Sequence, residues 1–277
     1  MAVDLRPVAC IGDNCLDLYL PPVDRTFIGG GALNVAVWLA RGGMLAAYIG
    51  RVGDDPAGEA VLAELSRQGV DAGGVSRVVG AATALTEIAL EEQGERRFVH
   101  ESYDIHERFN PREEEWASLT GARHVHATRM PRHLERLRSL GASGAHVSYD
   151  FSVDPLPDRL EGFELVFLPH DALPSDSDPA QAARELVERG CTCAIITLGS
   201  EGNLAATSDG VIAVAAAPTA VVDTCGAGDA FIASFLAARL REMELDACLE
   251  QGARAGAEAC AIVGAFPQEG VAVLSER

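Results

Sequence analysis

The chain has 277 residues, of which 48% are hydrophobic, so we expect one large folded domain over residues 1–277 rather than a disordered or fibrous chain. Its formal net charge of −19 argues against nucleic acid or an anionic membrane surface as a partner, since both select basic proteins. All 22 basic residues are arginine, and this excludes a P-loop, a protein kinase and Schiff-base chemistry, each of which requires a lysine.

Apolar runs of strand length alternate with amphipathic stretches of helix length, a pattern typical of an α/β fold with a mostly parallel sheet flanked by helices. The clearest predicted strands, in chain order, are residues 8–11, 46–50, 145–150, 165–168 and 194–198. The predicted helices are residues 32–41, 57–68, 131–140, 179–189, 227–241 and 245–263.

One segment interrupts this alternation. Residues 83–90 are predicted to form a strand, residues 92–95 a turn, and residues 96–101 a returning strand. With residues 16–20 they predict a small sheet that acts as a lid, with strands drawn from about residues 16–28 and 83–101. An antiparallel edge of the main sheet is the alternative that the pattern leaves open.

The N-terminus shows no basic region followed by an apolar run, and no stretch approaches about 18 uninterrupted apolar residues, which predicts a cytoplasmic protein without membrane contact. The seven cysteines are scattered and show no Cys-x-x-Cys spacing, a pattern typical of reduced thiols rather than of disulfides or a structural zinc site. A small molecule is therefore the expected partner.

The strongest motif is residues 223–229, Asp-Thr-Cys-Gly-Ala-Gly-Asp, which follows the apolar run 220–222 and opens a helix. Small residues at a strand-to-helix turn let backbone N–H groups converge, and the positive end of the helix dipole adds to their attraction for an anion. Asp229 can accept a proton from a hydroxyl group beside that anion. The alternative is that Asp229 caps the helix and the glycines only form the turn.

Two further motifs carry polar groups that suit a polyol. Residues 29–36, Gly-Gly-Gly-Ala-Leu-Asn-Val-Ala, place glycines before a helix, and Asn34 offers both a donor and an acceptor. Asp13 and Asp17 follow the first strand, and open α/β sheets bind ligands beyond the carboxyl ends of their strands. The alternatives are a capping role for Asn34 and solvated turn positions for the two aspartates.

These three motifs, in this order, resemble the ribokinase-like (PfkB) family of sugar kinases. The resemblance extends over nearly the whole chain, with matching segments at residues 12–13, 29–34, 50–55, 83–86, 197–202 and 223–229. The last segment is the most specific motif of the family. The resemblance implies a ribokinase-like fold, with a central, mostly parallel sheet, flanking helices and a small β lid over the sugar.

The resemblance also implies ATP-dependent phosphorylation of a sugar hydroxyl and a role for each matched position. Asp229 is the implied catalytic base, and the implied anion hole for the transferred phosphoryl group consists of Gly226, Ala227 and Gly228. The residues implied to hold the acceptor are Asp13, Asp17, Gly30 and Asn34. The residues implied to bind the nucleotide are Thr197, Gly199, Gly202 and Thr224. The implied cofactors are ATP and Mg²⁺, with a monovalent cation as a further candidate.

One family motif is missing and one subgroup stands out. The family's Asn-x-x-Glu motif, which helps to organise magnesium, is replaced by Leu-Pro-His-Asp-Ala-Leu at residues 168–173, where Asp171 is a candidate substitute and the metal ligands stay unassigned. Residues 11–19 and 149–152 are similar to the fructoselysine 6-kinase group, which phosphorylates a sugar with an amino-acid substituent. Gly31 stands where an asparagine is expected in that group.

Four residues with side chains that are common in active sites, two histidines and two arginines, are expected to lie outside the site. His124 and His126 share one face of a predicted strand, where a place in the core or on the surface is the expectation. Arg96 and Arg97 stand near the predicted lid turn, where they can reach a phosphate or a substrate carboxylate, but exposed arginines at a turn are usually solvated.

Two other functions compete with a kinase. A sugar- or nucleotide-binding regulator without activity would keep the same fold, and only the missing Asn-x-x-Glu motif favours it. A Rossmann dehydrogenase is disfavoured because no Gly-x-Gly-x-x-Gly follows the first strand. A homodimer formed through the lid is a hypothesis that sedimentation analysis can reject.

Overall fold

The computed structural model describes residues 6–91 and 94–271, and its central feature is a nine-stranded sheet. From one edge to the other, the strands are β13 (Gly210–Val214), β12 (Asn203–Thr207), β11 (Cys193–Thr197), β10 (Leu165–Pro169), β9 (Val147–Asp150), β8 (His124–Thr128), β1 (Val8–Ile11), β4 (Ala46–Gly53) and β5 (Asp71–Val78). The pairings of β12 with β11 and with β13 are antiparallel, and the other pairings in this sheet are parallel. The predicted mostly parallel α/β sheet is confirmed.

Strand β1 is the point at which the order of the strands reverses. The chain runs from β1 outward to β4 and β5, and it then crosses to β8 on the other side of β1. At such a switch point the connections after two neighbouring parallel strands lead in opposite directions and leave a crevice between them. The crevice in this sheet opens beyond the carboxyl ends of β1 and β8, where Ile11 pairs with Ala127.

The helices bury apolar residues against both faces of the sheet. They are α1 (Gly31–Arg41), α2 (Pro56–Arg67), α3 (Asp104–Glu107), α4 (Glu113–Leu119), α5 (Leu134–Ala142), α6 (Pro179–Glu188), α7 (Ala227–Leu240) and α8 (Leu245–Cys260). Side chains alternate between the two faces of a strand, so in β1 Val8 and Cys10 join the core that contains α1, α7 and α8, whereas Ala9 and Ile11 join the core that contains α5 and α6.

Helices α1 and α7, which carry two of the predicted motifs, are deeply buried. Every residue from Ala32 to Leu39 is buried, and α7 buries most residues between Ala230 and Ala238. A helix that is apolar on all sides is stable only inside the protein, so both helices pack in the core. The indole N–H of Trp38 donates a hydrogen bond of 2.9 Å to the carbonyl oxygen of Ala265 and fixes α1 against the segment that follows α8.

The second sheet has four strands, in the order β3 (Arg25–Gly29), β2 (Cys15–Tyr19), β6 (Leu85–Leu90) and β7 (Arg96–Ser102). In the described part of the chain these strands pair with one another and not with the nine-stranded sheet. The alternative of an antiparallel edge of the main sheet is therefore wrong. Residues 92 and 93 of the predicted turn at 92–95 lie outside the described residues.

The apolar run at residues 220–222 is not a strand, so the prediction of a strand-to-helix turn before α7 is wrong. The backbone N–H groups of Val222 and Asp223 donate to the carbonyl oxygen of Cys260, at 2.8 and 3.2 Å, instead of to a neighbouring strand. Val221 and Val222 are 47% and 43% exposed. The chain enters α7 from a loop that is held by the end of α8.

Other differences lie at the ends of elements. Strand β4 continues to Gly53, helix α8 ends at Cys260, and the predicted helix 131–140 begins as a 3-10 turn, Pro131–His133, before α5. None of the helices in the described part of the chain combines the length and the apolar character that spanning a bilayer requires.

Candidate active site

A cavity of about 670 Å³ lies between the four-stranded sheet and the carboxyl ends of the main-sheet strands. We call it the main cavity. Its lining includes Asp17 on β2, Asp13 beyond β1, Asp150 at the end of β9 and Asp229 on α7. Its size suits a small-molecule site, and the three sequence motifs converge on it.

Asp229 and Asn34 join the two glycine motifs. The side-chain amide of Asn34 donates a hydrogen bond of 2.7 Å to Oδ2 of Asp229, while its Oδ1 has no hydrogen-bond partner among the described residues. The residues that precede α1 and α7 are Gly30 and Gly226, which have no side chain to act as a cap. The first N–H groups of α1 are capped instead by Asp13, whose carboxylate accepts from N of Gly31 at 3.2 Å and from N of Ala32 at 3.3 Å. The capping alternatives for Asp229 and Asn34 are therefore wrong.

The environment of Asp229 favours a carboxylate that can take up a proton. Burial raises the pKa of Asp229 to about 6, and the charge of Asp13 acts in the same direction. The hydrogen bond from Asn34 and the positive charge of Arg96 lower the pKa of Asp229 and partly offset the effect of burial. A carboxylate with this pKa is mostly ionised at neutral pH and still basic enough to accept a proton, which suits a general base.

Two further carboxyl groups in the cavity have unusual proton affinity. Burial raises the pKa of Asp17 and of Asp150 to about 7 in each case. The thiol of Cys15 donates to Oδ1 of Asp17 at 3.1 Å, and the hydroxyl of Ser152 donates to Asp150 at 2.8 Å.

Asp13 and Asp17 are each only 4% exposed, so the alternative of solvated turn residues is wrong.

The turn before α7 requires its glycine and is anchored by Asp223. Gly226 has a φ of 72°, and a Cβ atom there would lie 2.5 Å from the carbonyl oxygen of Ala265. The fully buried carboxylate of Asp223 accepts hydrogen bonds from the hydroxyl of Tyr19 at 2.5 Å, from N of Gly264 at 2.8 Å and from N of Cys225 at 2.9 Å. The turn is thus fixed both to the small sheet and to the segment after α8.

Most of the residues singled out in the sequence line the main cavity, including Gly30, Thr197, Gly199, Thr224, Gly226 and Gly228. Ala227 and Gly202 do not belong to the lining. The amide N–H of Ala227 donates to the carbonyl oxygen of Thr224 at 3.3 Å. Gly202 has a φ of 110°, and a Cβ atom there would lie 2.2 Å from the carbonyl oxygen of Val214, so this glycine is required by the local turn.

Arg96 is exposed, as expected, but the expectation that it lies outside the site is wrong. Arg96 lines the main cavity, and its guanidinium donates a hydrogen bond of 2.7 Å to the carbonyl oxygen of Thr224. Burial disfavours its charge, but nearby acidic groups that include Asp229 outweigh this effect and raise the pKa of Arg96. Arg97 points elsewhere and pairs with exposed Glu91 at 3.2 Å. The signal was available in the two-residue alternation of β7, where Arg96 and Phe98 share the cavity face.

Arg129 is a cavity residue that the sequence did not reveal. Its Nε lies 3.7 Å from Oδ2 of Asp13, one of its terminal nitrogens lies 3.2 Å from Glu101, and the guanidinium stands 4.0 Å from the ring centre of Tyr103. Its φ of 54° lies in the left-handed region, which non-glycine residues seldom adopt and which is often found at functional sites. All four residues line the main cavity.

His124 and His126 lie in the core, as expected. They are 2% and 0% exposed, and both contact the hydroxyl of Ser148, at 2.8 and 2.9 Å. Burial lowers the pKa of each to about 3, so both rings are neutral.

The cavity has acidic groups that fit magnesium. Among the described residues no cluster of three or more His, Cys, Asp or Glu side chains forms a metal cage. Magnesium needs no such cage, because it retains waters and binds through one or two carboxylates together with substrate phosphates. Asp150, Asp171 and Asp229 line the cavity and can supply those carboxylates. His170 also lines it, and its buried Nε2 has no partner among the described residues, which suits a polar ligand on this side.

The chain matches known proteins along most of its length. The family profile "pfkB family carbohydrate kinase" matches residues 8–144 and 160–267. The fructoselysine 6-kinase of Escherichia coli (strain K12) is 34% identical over 265 residues, which cover 95% of this chain and 100% of the relative. The fructosamine kinase FrlD of Bacillus subtilis (strain 168) is 30% identical over 266 residues, which cover 92% of this chain and 91% of the relative.

Solved structures support the same fold. The ribokinase of Arabidopsis thaliana complexed with ribose and ATP superposes with a TM-score of 0.81 at 21% identity and covers 95% of both chains. The microbiome-derived acarbose kinase Mak1 gives a TM-score of 0.79 at 24% identity, with 96% of both chains covered.

The chain therefore belongs to the pfkB family of carbohydrate kinases. It has the ribokinase-like fold and is a phosphotransferase with a hydroxyl group as acceptor. The comparisons favour the kinase over the alternative of a regulator without activity.

Proposed function

We propose that this kinase phosphorylates a hydroxyl group on a sugar that bears an amino-acid substituent, with fructoselysine as the first candidate. Relatives that act on fructoselysine and fructosamines are 34% and 30% identical to it over nearly its whole length. The acceptor side of the main cavity contains Asp13, Asp17 and Asp150. Their negative charge suits the secondary ammonium group that joins the sugar to its amino-acid substituent.

The observation that carries the proposed phosphoryl transfer is the hydrogen bond from the side-chain amide of Asn34 to the carboxylate of Asp229. It orients a carboxylate of raised pKa toward the cavity, next to the glycine turn at the start of α7. In the proposed reaction, Asp229 accepts the proton of the sugar hydroxyl as its oxygen bonds to the γ-phosphorus of ATP and the bond to the β,γ-bridging oxygen breaks. Backbone amides at Gly226 and Gly228 and the dipole of α7 stabilise the charge on the phosphoryl group, whereas Ala227, whose N–H donates to Thr224, contributes only through the turn.

The remaining predicted residues divide between the two substrates. Asp13, Asp17, Gly30 and Asn34 are proposed to hold the acceptor. The nucleotide is proposed to bind on the side of Thr197, Gly199, Gly202 and Thr224, with Gly202 acting only through the turn that it forms. When bound, Mg²⁺ would neutralise phosphate charge, with Asp150, Asp171 and Asp229 as candidate ligands. A role for a monovalent cation stays a prediction that the effect of added K⁺ would test.

The four-stranded sheet is proposed to act as a lid and as a dimer contact. Strand β7 forms one edge of that sheet, all of its residues are exposed, and Val99 is 45% exposed. An edge strand with free backbone groups and exposed apolar side chains readily pairs with a second chain. Sedimentation should show a dimer that Val99→Lys weakens; a wild-type monomer at all concentrations would reject the dimer.

The function is tested by measuring ATP consumption, with Mg²⁺, across fructoselysine, other glycated amino acids, fructose, ribose and nucleosides. We expect the highest kcat/KM with a glycated amino acid and a phosphomonoester product visible by ³¹P NMR. A clear preference for an unsubstituted sugar or a nucleoside would reject the proposed acceptor class.

A further inference from the structure

A second cavity, of about 360 Å³, adjoins the main cavity. Tyr103 and Arg129 line both cavities and therefore stand at their junction. Because Arg129 also lies 3.7 Å from Asp13, the junction is next to the proposed acceptor site. A ligand bound there can extend a substituent past Tyr103 and Arg129 into the second cavity.

The lining of the second cavity combines both signs of charge with apolar walls. Its apolar residues are Phe109, Met130 and Pro131, its acidic residues are Glu107 and Asp154, and its basic residues other than the shared Arg129 include Arg132. Glu107 and Arg132 are exposed, so both charges can reach a ligand without prior movement. Such a lining suits a ligand group that carries a positive charge, a negative charge and a short hydrocarbon chain.

His106 forms part of the wall of this cavity. Its side chain is 7% exposed and lines the second cavity, and Nε2 lies 2.6 Å from the carbonyl oxygen of Asn14. Burial lowers the pKa of His106, so the ring is neutral, and a proton on Nε2 leaves Nδ1 as an acceptor. Nδ1 is buried and has no hydrogen-bond partner within residues 6–91 and 94–271.

We propose that the second cavity binds the amino-acid end of the acceptor and that this end carries a free carboxylate and a free ammonium group. The carboxylate pairs with Arg132 and Arg129, and the ammonium group faces Glu107 and Asp154. The methylene groups of the substituent lie against the apolar walls.

This inference rests on the proposed function and makes it more specific. A sugar attached through the side-chain amine of an amino acid keeps both free charges at the far end of the substituent. A sugar attached through the α-amine has the carboxylate beside the linkage, so a carboxylate and an ammonium group do not stand together at the far end of the substituent. The enzyme should therefore prefer the acceptor linked through the side chain.

The test compares two acceptors, fructoselysine linked through its ε-amine and the fructosamine of butylamine, which lacks the amino-acid charges. The variants are Arg132→Ala and Glu107→Gln, and the control is Arg108→Ala, an exposed arginine that lines neither cavity. Each variant should lower the ratio of kcat/KM for fructoselysine to kcat/KM for the butyl acceptor about tenfold, the loss expected for one charge-assisted contact. The control should leave this ratio within about twofold of wild type.

An unchanged ratio in both variants would overturn the inference while leaving the kinase assignment intact. If wild type phosphorylates neither acceptor, the proposed function fails, and calorimetric titration of fructoselysine still decides the role of the cavity. Binding that is tighter in wild type than in Arg132→Ala would support the cavity, and equal binding or none would overturn it.

Discussion

The protonation state of Asp229 depends on two residues that lie far from it in the sequence. Asn34 comes from α1 and donates a hydrogen bond to the carboxylate, and Arg96 comes from β7 and adds positive charge beside it. Both interactions favour the charged form and therefore lower the pKa of Asp229, against the effect of burial. The base is thus kept ionised by side chains from both sides of the cavity.

Replacing Arg96 with glutamine tests this balance. Without the positive charge, the pKa of Asp229 should rise above about 6, so less of the base is ionised in mildly acidic solution. We expect the acidic limb of the kcat/KM profile to move to higher pH, and activity at pH 6 to fall about two- to fivefold. The measurement is the pH dependence of kcat/KM from pH 5 to 9.

Arg97→Gln is the matched control, since Arg97 adjoins Arg96 in the sequence but pairs with exposed Glu91. Its profile should coincide with that of wild type. Equal displacement of both profiles, or of neither, would show that Arg96 does not set the charge of Asp229.

Residues within glycine motifs could be predicted from the sequence, whereas isolated site residues could not. Asp229 and Asn34 stand next to glycines whose spacing itself indicates an anion site at a helix start. Arg129 and His106 have no such local pattern, and for Arg96 the only local signal is the two-residue alternation of β7. Their places in the two cavities depend on how β7, the end of β8 and α3 pack around the crevice, which is a property of the tertiary structure.

At the level of elements, the glycine turn before α7 has two glycines with different requirements. Gly226 combines a φ of 72° with close contact to Ala265, so Gly226→Ala should lower the free energy of unfolding by about 3 kcal/mol. A Cβ atom at Gly228 would meet nothing within 4 Å, so Gly228→Ala should raise helix stability by up to about 1 kcal/mol. Because Gly228 lines the main cavity, its new methyl group should still reduce kcat about tenfold or more.

Urea unfolding and steady-state kinetics on both variants would separate these effects. A stable, fully active Gly228→Ala would contradict the proposed anion hole. A Gly226→Ala variant as stable as wild type would contradict the conformational requirement.

The predicted strands of the main sheet could be found from the sequence because they are continuous apolar runs. The small sheet could be found because its hairpin interrupts the alternation of strands and helices. The run 220–222 was misread for a physical reason. Three apolar residues form a strand only if a neighbouring strand accepts their backbone hydrogen bonds. Here the carbonyl oxygen of Cys260, at the end of α8, accepts the hydrogen bonds from N of Val222 and N of Asp223 instead.

For the molecule as a whole, the acidic cavity lowers stability. Burial raises the pKa of Asp17 to about 7, above the value of an unfolded chain. The folded state therefore binds an extra proton between about pH 4 and pH 7, and the contribution of this carboxyl to stability falls as pH rises through that window. Keeping Asp17 charged at higher pH opposes folding.

Asp17→Asn should remove this effect. The variant should match wild type near pH 4 and exceed its free energy of unfolding by on the order of 2 kcal/mol at pH 8. Asp209→Asn, at an exposed turn position, is the control and should stay within about 0.5 kcal/mol of wild type at both values. Denaturant unfolding at pH 4, 6 and 8 measures the difference, and a gap that does not widen with pH would refute the account.

The most direct test of the central claim is the rate of phosphoryl transfer from ATP to fructoselysine by Asp229→Asn, measured beside calorimetric binding of the sugar. We predict that kcat falls about 10³-fold, because the base is lost, while the dissociation constant of the sugar changes less than about threefold. A variant that keeps kcat within about tenfold of wild type would show that Asp229 is not the base.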